Sequence, residues 1–208
     1  MKIFLLAGEA SGDKLGAALM AGLLKHMPNA PEFYGVGGPL MEQAGLKTLF
    51  PMSDISLMGI SEILSKYRFL KRRITEAADA VIEGGADVLI TIDLPEFSLR
   101  LAKAVRRRKQ VPSVHYVAPT VWAWRPGRAR KMSPFVDHVL ALFPFEPPYM
   151  QAAGMSCDFV GHPVVNDPRA TRDEAQRFRA ETGINDAPMI LCLPGSRGSE
   201  IKRLAPVF

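Results

Sequence analysis

The sequence predicts an α/β fold, a Rossmann-like doubly wound parallel sheet, on two observations. Strand-length segments such as IFLLA (3–7) and VLITI (88–92) are apolar almost throughout instead of alternating apolar and polar, the pattern of strands buried on both faces. These segments also alternate with helical patterns along the chain, an order that builds βαβ units. At 208 residues, 48% hydrophobic and 23% charged, the chain exceeds one typical domain and has the composition of a soluble globular protein.

The elements follow in order. Ile3 to Ala7 reads as a buried strand and Gly12 to His26 as a helix, joined by a glycine-rich turn. Phe33 to Val36 is a second strand closed by Gly35, Gly37 and Gly38, with a short helical piece from Pro39 to Ala44. A long helical pattern from Gly59 to Ile82 precedes the strand Val88 to Ile92, which delivers Asp93. Pro95 to Lys109 is a helix, Ser113 to Val117 a strand, and Pro126 to Met132 a basic helix. His138 to Leu142, Pro144 to Ala153 and Cys157 to Val160 complete the alternation as strand, helix and strand. After a polar stretch, Thr171 caps the helix DEAQRFRAE, and Met189 to Leu193 reads as a fresh apolar strand. Residues 1–165 are therefore expected to form one domain, 166–188 a linker and helix, and 189–208 the opening of a second domain.

Composition narrows the partners. The opening MKIFLLAGEASGD turns polar too soon for a secretory signal, so a cytoplasmic protein is expected. No segment approaches the roughly 18 unbroken apolar residues of a membrane span. Cys157 and Cys192 lack metal-ligand spacing and are expected to be reduced, buried thiols. The net charge of +5 conceals an asymmetry: Arg100 to Lys131 holds ten basic residues and no acid. Such a stretch favours an anionic partner. Arg106 to Lys109 closes a helix, where cations suit the dipole; the cluster Arg125 to Lys131 stays open.

Three segments carry candidate chemistry. Asp93, at the end of an apolar strand, sits where ligands of parallel sheets bind and could accept a proton from a bound hydroxyl. It could equally cap the helix opened by Leu94 and Pro95, with Glu96 completing a capping box, and composition alone favours the cap. Gly8-Glu9-Ala10-Ser11-Gly12-Asp13 lets backbone approach a ligand at a helix amino terminus, but it is not GxGxxG, and it also reads as a turn capped by Ser11 or Asp13. Leu193 to Glu200 (LPGSRGSE) combines two glycines, two hydroxyls and Arg197, which suits a diphosphate. Trp122 and Trp124, beside Arg125, suit a sugar face or an acyl chain if exposed, with core packing as the competing account. His115 reads as a satisfied strand histidine. Apolar positions 60, 63, 64, 67, 70 and 74 form a helical stripe among Lys66, Arg68, Lys71, Arg72 and Arg73. Such a stripe is core-facing or lies at a membrane interface, and Phe69, off the stripe, inclines toward the interface.

With these residues assembled, the chain resembles the lipid-A-disaccharide synthase family over essentially its whole length. The matching stretches are AGEASGD (7–13), GVGGPLM (35–41), MGISEIL (58–64), IDLPEFS (92–98), HYVAPTVWAWR (115–125), LFPFE (142–146), FVGHP (159–163) and LPGSRGSE (193–200). The resemblance implies an inverting, metal-independent hexosyltransferase of the two-Rossmann-domain GT-B type, needing no cofactor. UDP-2,3-diacylglucosamine would donate its sugar to 2,3-diacylglucosamine 1-phosphate (lipid X), giving a β-1,6-linked lipid A disaccharide 1-phosphate and UDP. It implies residues 1–165 as the acceptor-side domain and 189–208 as the start of the UDP-sugar domain. It assigns Asp93 as general base and Gly195, Ser196 and Arg197 to the UDP phosphates. Glu9, Ser11 and Gly12 would line the acceptor side, while Ile63, Leu64, Tyr67 and Leu70 would receive acyl chains and meet the inner membrane. The protein would lie on the inner face of a Gram-negative inner membrane, bind no nucleic acid, and the full-length form allows a homodimer. The family's length is nearly double this one, so these residues alone are expected to be inactive or nearly so. A UDP-sugar 2-epimerase shares the two-domain architecture but needs further acid/base groups, and a non-catalytic lipid- or nucleotide-binding module is the third reading.

Overall fold

The computed structural model describes residues 1–56, 67–125, 127–195 and 198–208. The described residues form two compact units, Met1–Val165 and Asn166–Phe208. The first unit holds β1 (Lys2–Ala7), α1 (Ala10–His26), β2 (Glu32–Val36), α2 (Pro39–Gln43) and β3 (Lys47–Thr48). These are followed by α3 (Tyr67–Glu83), β4 (Val88–Ile92), α4 (Pro95–Arg106), β5 (Ser113–Tyr116), α5 (Gly127–Met132), β6 (His138–Ala141), α6 (Pro147–Gln151) and β7 (Ser156–Phe159). The seven strands make one sheet in the order β3-β2-β1-β4-β5-β6-β7, every pair parallel.

The uniformly apolar strands are explained by a helix layer on each face. Phe4 and Leu6 of β1 pack with Ala77, Ala78 and Val81 of α3 and with Phe97, Leu101 and Val105 of α4. Ile3, Leu5 and Ala7 point the other way, against Leu15 and Met20 of α1 and Met41 of α2. All five residues of β4 are buried. A polar side chain on these strands would have no water to meet and needs a partner inside the protein; Thr91 finds one in His115, Oγ1 to Nδ1 at 2.8 Å.

Several boundaries differ from expectation for identifiable reasons. Helix α1 starts at Ala10 instead of Gly12, with extended Glu9 at its cap position, so Ser11 and Asp13 lie inside the helix and do not cap it. Strand β3, of two residues, is too short to leave a periodic signal. Helix α6 begins only at Pro147, because the preceding loop is folded on itself: Phe143 N–H donates to the buried Glu146 carboxylate at 3.0 Å. The segment expected as the helix 59–66 lies outside the described residues. In the second unit, α7 (Arg172–Glu181) carries the expected Thr171 cap as a complete capping box with Glu174, and α8 (Gly198–Leu204) follows. The expected strand at Met189 to Leu193 is not formed. No described strand of that unit stands beside it to take its hydrogen bonds, and Ile190 is 90% exposed. Cys192 is exposed for the same reason, against the buried thiol expected, whereas Cys157 is buried on β7.

One carboxylate joins the first two βα turns. Asp13, on α1, is 3% exposed and accepts from the backbone N–H groups of Gly38 at 2.9 Å, Leu40 at 3.0 Å and Met41 at 3.0 Å. It therefore caps α2 instead of its own helix, satisfying three donors that the start of any helix leaves open. Gly38 leaves room for it, since a β-carbon there would meet the Asp13 carboxylate. Asp13→Ala is expected to cost about 3 kcal/mol or more by burying those donors unpaired, and Asp13→Asn, which keeps one acceptor oxygen, distinctly less. Urea unfolding of the chain and both variants checks the order.

Candidate active site

In a doubly wound sheet the ligand crevice opens beyond the strands' carboxyl ends, where the strand order reverses. Here the chain runs from β1 out to β3, then returns to place β4 on the other side of β1. The reversal therefore lies between β1 and β4, whose last residues Ala7 and Ile92 are paired. Gly8 and Asp93 follow directly. The two loops touch: a β-carbon on Gly8 would run into the Leu94 side chain, and one on Gly12 would meet the carbonyl oxygen of Ile92 at 3.6 Å. The glycine spacing 8, 12, 16 serves close packing, since Gly16 abuts Met41 and Ile92. Glu9 and Gly12 are thus neighbours of the Asp93 turn, with Ser11 exposed on the first turn of α1. Ser56 fastens the loop from below, its hydroxyl donating to the carbonyl of Gly8 and to that of Met52 at 3.0 Å.

Asp93 is half-buried and held on both sides of its peptide. Its N–H donates to the carbonyl of Tyr116 at 2.9 Å, and its carbonyl accepts from the hydroxyl of the buried Ser98 at 2.7 Å. Its φ is +50° and that of Leu94 +47°, a left-handed pair that costs non-glycine residues free energy and marks functional turns. The simple capping alternative does not hold. Leu94 occupies the cap position of α4 and has no capping side chain. Glu96 consequently falls short of the capping-box position, and instead faces Arg128 at 3.1 Å and Arg100 at 3.8 Å.

Stretches 7–13, 35–41, 92–98, 115–125, 142–146 and 159–163 all lie at or just beyond the carboxyl ends of strands. Val117 (φ +80°) and Arg125 (φ +53°) add two further left-handed residues to this rim. Core packing fails for both tryptophans, as Trp122 and Trp124 are exposed. Trp122 stands edge-on to Phe145 at 5.2 Å, Phe145 stacks with Phe143 at 5.5 Å, and Arg125 lies over Trp124 at 4.3 Å. The aromatics of LFPFE were visible in the sequence, but only the fold brings them to Trp122.

The basic run divides as its two clusters suggested. Arg106 pairs with Asp137, and Arg108 with Asp79 at 2.6 Å, so two of the four cations that close α4 meet neighbouring acids. The second cluster faces a groove of about 690 Å³ between α4 and α5, shared by Arg100, Lys103, Arg125, Arg128 and Lys131. On α3, Tyr67 is exposed, whereas Leu70 is half-buried and packs on the core. The guanidinium groups of Arg72 and Arg73 both approach the Phe69 ring, at 5.3 and 5.2 Å from its centre. Ile63 and Leu64, like Ser196 and Arg197, lie outside the described residues. In the second unit Gly195 has φ +102° and abuts the Glu200 carboxylate. Among the described residues no group of three or more His, Cys, Asp or Glu side chains is placed to hold a metal ion, and no helix is long and apolar enough to cross a membrane.

The fold and its rim define a Rossmann-type, doubly wound α/β domain whose strand order reverses between β1 and β4. Solved structures similar to it include the apo form of the lipopolysaccharide outer core galactosyltransferase WaaB (TM-score 0.51, 14% identity, 83% of this chain and 50% of that one). MurG of Acinetobacter baumannii is alike to the same degree (TM-score 0.51, 13% identity, 83% and 47%). A family model described as lipid-A-disaccharide synthetase matches residues 3–208, and the chain belongs to that family. Relatives named lipid-A-disaccharide synthase are 59% identical in Ruegeria pomeroyi, over 100% of this chain and 52% of the relative. Another, in Rhodospirillum centenum, is 51% identical over 99% and 52%. The chain spans about half the length of these curated relatives. The epimerase and binding-module readings are not favoured by these matches.

His115 is a satisfied strand residue and not a base. It is wholly buried, and burial pulls its pKa from 6.5 down to about 4. The unfolded chain protonates it near pH 6.5 and the folded one only near pH 4, so between these values the unfolded state binds more protons. Folding stability is expected to fall as pH drops from about 6.5 to 4, by at most roughly 3 kcal/mol from this residue. Urea titrations across that range should show a shallower pH dependence for His115→Asn than for the parent chain.

Proposed function

We propose that this sequence is the acceptor-side half of an enzyme that transfers diacylglucosamine from UDP to the 6-hydroxyl of diacylglucosamine 1-phosphate, forming the lipid A disaccharide 1-phosphate. Asp93 takes the hydroxyl proton as that oxygen attacks the anomeric carbon from the side opposite UDP, inverting the configuration. A carboxylate suits the task because its oxygens can accept the proton as the hydroxyl oxygen gains bonding to carbon. The departing diphosphate needs charge stabilisation, which Arg197 with the backbone donors of Gly195 and Ser196 would supply. Glu9, Ser11 and Gly12 line the acceptor side of the same crevice.

One observation carries the reading: in a chain of this family, a half-buried carboxylate stands at the strand-order reversal, on a backbone held by Tyr116 and Ser98. In a chain extended to the family's full length, Asp93→Asn is expected to lower turnover by about 10²–10⁴-fold with the unfolding midpoint little changed. Turnover close to the parent's would exclude Asp93 as the base.

The acceptor's acyl chains place the reaction at a lipid surface, and we infer a peripheral position on the anionic face of the inner membrane. Exposed Tyr67 and the neighbouring Arg68 and Lys71 support this reading, aromatic and cationic side chains being suited to a headgroup layer. The chain should float with phosphatidylglycerol vesicles, less so as salt rises, and Tyr67→Ser should float less. Equal flotation of the two proteins would count against Tyr67 as a membrane contact.

A further inference from the structure

The groove between α4 and α5 is not used by the proton transfer at Asp93, yet its lining includes Pro95, two residues further along the chain. Leu99 and Phe135 supply apolar lining. Arg100, Lys103, Arg125, Arg128 and Lys131 line the rest, with Glu96 as the one anion among the lining residues. Glu96 is engaged by Arg128 and Arg100, so the groove keeps a strong positive excess. Arg125 is set there by its left-handed backbone and by stacking on Trp124.

We propose that this groove binds the phosphate of the acceptor amphiphile and thereby orients its hydroxyl toward Asp93, an inference that rests on the glycosyl-transfer reading above. Three observations support it. The volume, about 690 Å³, falls in the range of small-molecule sites, and the concave form suits one molecule better than a flat lipid surface. The cations are spread along the groove's length: from Glu96 to Lys103, α4 advances by about 10 Å, the span of a hexose with its phosphate. Finally, the ligand's chemistry is asymmetric in the same sense. In a hexosamine 1-phosphate the 6-hydroxymethyl group and the anomeric phosphate flank the ring oxygen, so one sugar can present its hydroxyl to a carboxylate and its phosphate to cations close beside it. A phosphomonoester carries nearly two negative charges at neutral pH, so several cations can share it.

The test is binding, not turnover, so that it stands apart from Asp93. Short-chain diacylglucosamine 1-phosphate below its micelle concentration is titrated into the chain by calorimetry, beside the same amphiphile without phosphate, inorganic phosphate, and phosphatidylglycerol vesicles. Lys103→Gln/Lys131→Gln removes two exposed cations and should fold normally. The parent should bind the phosphorylated amphiphile at least tenfold more tightly than the dephosphorylated one, and the double variant should lose most of that preference while its weak binding of the neutral amphiphile is unchanged. A preference that survives in the variant, or no binding of the monomeric phosphorylated amphiphile, overturns the proposal. Binding to vesicles alone overturns it in favour of lipid docking, and binding of inorganic phosphate alone in favour of an ion site. If Asp93→Asn abolishes turnover while the groove shows no phosphate preference, the transfer reading stands and this inference falls. If Asp93→Asn retains turnover, the reading fails whatever the groove binds.

Discussion

Strands β1 and β4 have apolar side chains directed to both faces, and the rest of the molecule follows from that constraint. Such strands cannot meet water, so helices must cover the sheet on each side, and each crossover helix forces its neighbours to run parallel. Parallel strands put all their carboxyl ends on one edge. Polar chemistry, excluded from both faces, is confined to that edge. The pairing of Ala7 with Ile92 then brings the loop from Gly8 and the turn at Asp93 together at the reversal of strand order, the place where sheets of this kind bind ligands.

The rim is made rigid by small, specific devices instead of by bulk. Asp13 joins α1 to the start of α2 through three backbone donors, and Gly38 makes the space for its carboxylate. Gly35 has φ +142° and no room for a β-carbon, which would strike the Leu5 carbonyl of the neighbouring strand. Ser98 and Tyr116 hold the Asp93 peptide in a strained conformation. Fixed geometry of this kind holds the Asp93 carboxylate in one place, as the role proposed for it requires. Around it the rim offers a cationic groove and an aromatic group, a pairing suited to a ligand that is both charged and apolar.

The described stripe on α3 divides its labour. Leu70 and Ile74 pack on the core, while Tyr67 and Lys71 face outward beside a smaller groove that shares Arg100 and Lys103 with the first. One helical periodicity therefore serves both the core and a surface, and the choice between them could not be read from spacing alone.

The sequence by itself determined a parallel sheet, six of its seven strands in chain order and the position of Asp93 at a strand end, because these depend on local apolar runs and on turn residues next to them. It also determined the Thr171 cap, which involves residues only three apart. Tertiary structure decided what lies across the chain. Asp13 reads in the sequence as a candidate cap of its own turn, with Ser11 as the other, but its partners are 25 to 28 residues away, so only packing shows that it caps α2. The same holds for Arg128, which meets Glu96 across the groove, and for Phe143 and Phe145, which reach Trp122 through the pairing of β5 with β6. Met189 to Leu193 makes the complementary point: an apolar run specifies a strand only when another strand stands beside it, because its backbone hydrogen bonds have to be made with a neighbour.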